Sequence, residues 1–276
     1  MLRGEITEPI RPIPQRRVIE KMNEYMSRRD YAGAERHLLY WLAEAQLGQD
    51  LDGQLVLRNE MVGHYRKTGQ RDKAMESAEE ALALLAELGL EDAIIAGTTF
   101  VNIATACGAF GKHERALELF EKARAVYEGS EYVEPQLLGG LYNNMALTCA
   151  ALGRYELALE LYEKAVRMMA DVPDGELEQA ITFLNMADAV EAQLGPEDGE
   201  SRIFALVERA QELLENKGRE ILGEDRVLRG KSREERARIG YYAFVCEKCA
   251  PTFDHFGYFL AAEEFRETAG KIYREM

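Results

Sequence analysis

Residues 142–165, YNNMALTCAALGRYELALELYEKA, decide how this chain folds. Counting from Asn144, small or apolar residues fall at Ala146, Cys149, Gly153, Ala158, Tyr162 and Ala165. The same series starts 42 residues earlier at Asn102, with Ala104, Cys107, Gly111, Ala116, Phe120 and Ala123. Another 42 residues earlier it starts at Glu60, with Val62, Tyr65, Gly69, Ala74, Ala78 and Ala81. Three matches at one period mark a repeat architecture, whose units are too small to bury an apolar face alone and must stack on their neighbours.

Weaker copies flank the three. Glu20 leads to Met22, Tyr25, Arg29, Ala34, Leu38 and Trp41, with the glycine lost and a bulky Trp at the last position. Asn185 leads to Ala187 and Val190, after which LGPEDGES adds residues before IFALVERAQELLE resumes the second half. Lys248 leads to Ala250, Phe253, Gly257, Ala262, Arg266 and Ala269. The expected units lie near 15–54, 55–96, 97–138, 139–179, 180–216 and 243–276, in one domain spanning 1–276, with 217–242 an irregular connection or an extra helix. Within each unit the glycine (Gly69, Gly111, Gly153, Gly257) splits two helical patterns, because a left-handed residue ends a helix and only glycine takes that conformation without penalty.

The series NxA…G…A…F/Y…A, as in NIATACGAFGKHERALELFEKA and NMALTCAALGRYELALELYEKA, resembles the tetratricopeptide repeat in a long form of about 42 residues. The strong match covers roughly residues 55–168. The resemblance implies an all-α fold: a right-handed α-solenoid of stacked antiparallel helix pairs, five to six units long. It also implies a scaffold that binds peptides or proteins and does not catalyse.

Helical rotation of about 100° per residue assigns the faces. Phe100, Ile103, Ala104 and Cys107 fall between about 100° and 200° from Asn102 and form one packing face, so Asn102 points away from it. The opposite face carries Thr98, Asn102, Thr105 and Ala109, then Gly140, Asn144, Leu147 and Ala151, then Ile181, Asn185, Asp188 and Ala192. In proteins that resemble this one, stacked first helices line the concave side. The resemblance therefore places Asn59, Glu60, Lys67, Thr98, Asn102, Thr105, Asn143, Asn144, Leu147, Asn185 and Asp188 along a peptide-binding groove. Asn102, Asn144 and Asn185 would form a ladder in it. An asparagine amide both donates and accepts, so it matches the N–H and C=O of an extended peptide. The competing reading is that these amides bond to neighbouring helices.

Charge narrows the ligand. Relatives that clamp a terminal carboxylate do so with several Lys and Arg, but here Lys67 stands beside Glu60 and Asp188 follows, which argues against such a ligand. With 34 basic and 49 acidic residues the net charge is −15, so nucleic acid and anionic membranes are disfavoured partners. No apolar run has the length of a signal peptide core or a membrane span, and four unevenly spaced cysteines make no disulfide framework, so a cytoplasmic location is expected.

No metal, cofactor or catalytic group is expected. CEKC at 246–249 with Asp254 and His255 lacks the second ligand pair a closed zinc site needs, and the repeat register puts Cys107, Cys149, Cys246 and Cys249 at packing positions. His37, His64, His113 and His255 fall in four different units, and no phosphate loop, GxSxG or HExxH motif occurs. The leading functional reading is a non-enzymatic module holding a protein or peptide partner. A self-assembling scaffold is the alternative, because the terminal stretch FVCEKCAPTFDHFGYFLAAEEF is unusually aromatic and suits a homo-oligomer contact. The proline-spaced EPIRPIP near the N-terminus is extended enough to lie in a groove.

Overall fold

A computed structural model describes residues 10–223 and 231–276. Among them are twelve α-helices and no strand: α1 (Gln15–Ser27), α2 (Tyr31–Leu47), α3 (Leu51–Lys67), α4 (Arg71–Leu88), α5 (Ile94–Ala109), α6 (His113–Gly129), α7 (Pro135–Ala151), α8 (Tyr155–Met169), α9 (Gly175–Leu194), α10 (Glu200–Leu222), α11 (Arg233–His255) and α12 (Phe259–Glu275). The fold is all-α, a repeat of antiparallel helix pairs of the α-solenoid type.

The turn inside each pair follows from one glycine. Gly69, Gly111, Gly153 and Gly257 have φ of 71°, 75°, 72° and 83°. The next residue's N–H then reaches back to a carbonyl five residues earlier, as in Lys112 N to Cys107 O and Arg154 N to Cys149 O, both 2.8 Å. These bonds use carbonyls that the ending helix leaves unpaired. The degenerate first pair keeps the geometry without glycine: Arg29 takes φ 57° and Asp30 N bonds Tyr25 O at 2.9 Å.

Helices close against one another where the repeat places alanine. Ala74, Ala116, Ala158 and Ala262 are completely buried, as are Ala104, Ala146, Ala187 and Ala250 of the first helices. Glycine permits still closer approach at Gly97, where a Cβ would collide with the Tyr127 ring. Cys107, Cys149, Cys246 and Cys249 are free and buried, filling packing positions as small hydrophobes.

The chain divides into two compact units, Met1–Val133 and Glu134–Met276. In the first, α1 to α6 pack in succession and α3 also touches α5. Its N-terminal edge is tied down at Asp50, which accepts from Gly53 N at 2.9 Å as an N-cap and from Ile13 N at 2.8 Å. Arg11 N donates to Gly48 O at 2.9 Å, so the described part of EPIRPIP is fastened at the α2–α3 turn; Glu8 and Pro9 lie outside the described residues.

In the second unit α7 to α12 pack in succession, with α7 and α11 each also against α9. Residues 217–242 are neither an irregular connection nor a separate helix where they are described. Residues 217–222 complete α10, because Lys217, Gly218, Ile221 and Leu222 are buried there. Residues 233–242 open α11, whose start is fixed by a capping box: Glu235 N donates to Ser232 Oγ at 3.1 Å and Ser232 N to Glu235 Oε2 at 2.7 Å. Residues 224–230 lie outside the described part. A five-member charge cluster joins the three helices of this corner. Arg238 of α11 grips Asp174 through two parallel hydrogen bonds of 2.6 and 2.5 Å and also reaches Glu220. The buried Lys217 lies 3.3, 3.1 and 2.8 Å from Asp174, Glu176 and Glu220. Burial pulls the Lys217 ammonium down, but the three carboxylates outweigh it and its pKa is raised on balance; Arg238 holds Asp174 below the usual carboxylate range.

Candidate functional site

The first helices of each unit carry the residues singled out from the sequence. In the first unit, Asn59 of α3 is buried, and its Nδ2 donates to Thr99 Oγ1 of α5 at 2.9 Å. Its Oδ1 is buried without a partner among the described residues. Thr98 Oγ1 sits 3.0 Å from the hydroxyl of the buried Tyr127, and Thr105 Oγ1 donates to Val101 O at 2.8 Å within its own helix. Glu60 is half-buried, and burial raises its carboxyl pKa. Lys67 is exposed, with its ammonium 5.8 Å over the Tyr31 ring.

The second unit repeats the tie. Asn143 Oδ1 of α7 accepts from Thr182 Oγ1 and from Asn185 Nδ2 of α9, each at 3.2 Å. The Thr182 hydroxyl also lies 2.9 Å from Glu178 O, and its one proton serves one acceptor at a time. Asn59 with Thr99, and Asn143 with Thr182, hold equivalent places one first helix apart. Asn102 and Asn144 stand outside these ties, half-buried on the face opposite the packing positions. Leu147 is 43 % exposed beside Asn144. Asp188 opens to solvent, yet surrounding protein strips away enough water to push its carboxyl up to about 6, a shift that His255 opposes and Glu191 adds to. The structure thus joins Asn143 to Asn185 and Asn59 to Thr99, and within each unit it leaves Asn102 and Asn144 as amides turned to the open face.

Sequence reasoning placed Phe244 in the aromatic terminal stretch but missed Tyr241 and the pairing of α11 with α9. Tyr241 donates to Glu178 of α9, His255 Nε2 lies 2.6 Å from Glu191 Oε2, and the Tyr241 and Phe244 rings stack at 6.1 Å. Starting the last unit at residue 243 left Tyr241 outside it. With α11 begun at Arg233, the same rotation puts Phe244, Lys248 and His255 within about 60° of Tyr241.

Among the described residues no group of three or more His, Cys, Asp and Glu is placed to hold a metal ion. Burial pushes the Cys246 and Cys249 thiols up to about 12, which suppresses thiolate reactivity. No helix among the described residues is long and apolar enough to cross a membrane.

Residues 54–129 and 137–197 match the tetratricopeptide repeat family, and this chain is a tetratricopeptide-repeat protein. Repeats of this family generally mediate protein–protein interaction. Two solved structures are similar to it. The kinesin light chain-type, nearly identical TPR-like repeats of Podosopora anserina are 22 % identical, with 78 % of this chain and 92 % of that chain covered and a TM-score of 0.47. BtubC (BKLC) from P. vanneervenii is 19 % identical, with 94 % and 91 % covered and a TM-score of 0.49. No curated protein matches the chain.

Proposed function

We propose that the protein is a non-catalytic interaction module that holds an extended segment of a partner protein along the open face of its first helices. The observation that carries this reading is the division of labour among the asparagines. Asn59, Asn143 and Asn185 spend their amides on neighbouring helices, whereas Asn102 on α5 of the first unit and Asn144 on α7 of the second each stand outside those ties. Asn102 and Asn144 supply the peptide-backbone contacts, with Leu147 as the adjoining apolar contact, and the single-domain solenoid of 1–276 is part of the same proposal. Four free, buried thiols fit a reducing compartment such as the cytoplasm.

The test is a binding measurement with a partner captured on the intact protein and then purified. The double change Asn102→Ala with Asn144→Ala should weaken that partner about ten-fold or more, on the order of two lost hydrogen bonds, and leave the fold intact. Unchanged affinity would remove the amides from the contact. Self-assembly is the second reading, favoured by Phe259 and Leu260 of α12, which are 66 % and 85 % exposed. Sedimentation separates the two: a monomer at working concentration removes self-assembly.

A further inference from the structure

We propose that the α9–α11 face of the second unit docks an arginine-bearing segment of the partner; this rests on the interaction reading above and names the chemistry of its ligand. The face has an exposed aromatic part and an acidic part. Tyr241 and Phe244, 39 % and 48 % exposed, stack with their planes 24° apart on α11. Beside them α9 contributes Glu178, and ten residues further along the same helix Asp188, whose neighbours are His255 and Glu191. Neither Glu178 nor Asp188 forms a direct ion pair among the described residues: Glu178 accepts from Tyr241, while His255 is taken up by Glu191. Lys248 acts on Glu178 as a nearby positive charge that opposes the effect of burial.

Burial raises both carboxyls, so their charged forms lack compensation that an incoming cation would supply. Arginine suits the site better than lysine, since a planar guanidinium stacks on an aromatic face and presents paired donors to a carboxylate. The spacing is also set. Glu178 and Asp188 lie ten residues apart on one helix, about 15 Å, which an extended chain covers in four to five residues. Two arginines at i and i+4 would therefore meet the two carboxylates together. The overall charge of −15 draws such a segment in.

The experiment uses the full chain and labelled eight-residue peptides with blocked ends, read by fluorescence anisotropy. One peptide carries Arg at i and i+4 in a Gly/Ser background; the others carry Lys or Glu at those positions, or Arg at i and i+1. The i, i+4 Arg peptide should bind tightest, the Glu peptide not at all, and added salt should weaken binding. Glu178→Gln with Asp188→Asn, and separately Tyr241→Ala with Phe244→Ala, should each cost ten-fold or more, while Glu208→Gln on the exposed side of α10 should cost nothing. Circular dichroism checks that each variant keeps its helices; if the aromatic variant unfolds, the carboxylate variant carries the test alone. Equal binding of the Glu peptide, binding unaffected by the carboxylate variant, or no binding of any Arg peptide overturns this proposal. The captured partner's response to the Asn102 and Asn144 changes is measured separately, so that either proposal can fail without the other.

Discussion

Replacing neighbouring asparagines on α7 one at a time should separate a structural amide from a contact amide. Asn143→Ala removes the acceptor shared by Thr182 and Asn185 at 3.2 Å each. Thr182 retains Glu178 O at 2.9 Å, so the loss falls mainly on Asn185, whose amide is left part-buried. One lost hydrogen bond costs about 0.5–1.5 kcal/mol, and an unpaired, partly desolvated partner adds to that. The better helix propensity of alanine returns up to about 0.7 kcal/mol. The net expectation is a destabilisation of about 0.5–2 kcal/mol. At Asn144 only the propensity gain applies, so Asn144→Ala should be neutral or stabilising by up to about 0.7 kcal/mol. Urea denaturation followed by circular dichroism, with the slope unchanged, measures both. If Asn144→Ala proves the more destabilising, Asn144 is a tie between helices and its role as a contact amide is wrong.

Other expectations follow from burial and backbone geometry. His64 is 3 % exposed with both ring nitrogens unpartnered, and burial lowers its pKa. The folded state therefore binds its proton more weakly than the unfolded chain, so stability is full above pH of about 6.5 and falls as pH drops below it; His64→Phe should flatten that acid limb in denaturation curves. Gly153 has φ 72° with open space around its Cα, so Gly153→Ala should cost about 1–2 kcal/mol through strain alone, whereas Gln49→Gly, at φ 53°, should be neutral or stabilising. Cys246 and Cys249, with thiols pushed up to about 12 by burial, should resist a thiol reagent at pH 8 until the protein is unfolded, and a chelator should leave the melting temperature unchanged.

Much of the fold was legible because each structural demand falls on a residue type with few substitutes. Gly153 is readable as a turn since its backbone requires a left-handed φ, and Ala158 as a helix contact since it is buried against its partner helix. Where the demand is met by other means, the sequence is silent. Arg29 takes the same φ at an energetic cost that no pattern reveals, and α11 starts at Arg233, behind a Ser232 cap and ten residues before the unit expected from residue 243. The candidate face was only half legible. Rotation about one helix puts Asn143 and Asn144 near the open side, but whether an amide meets a threonine on the next helix depends on the offset between helices 39 residues apart in sequence. Phe244 opened the stretch read as a contact surface, but Tyr241 was missed because its place follows from where α11 begins.

A partner held on the first helices would shield their backbone amides from solvent. Hydrogen exchange on the purified complex, read on backbone peptides of α5 and α7 and compared with α6 and α8, detects that shielding. Exchange should slow in the segments around Asn102 and Asn144 on binding, an effect abolished by Asn102→Ala with Asn144→Ala, while α6 and α8 stay unchanged. Protection confined to α6 and α8, or protection that survives the double change undiminished, would contradict a partner held there.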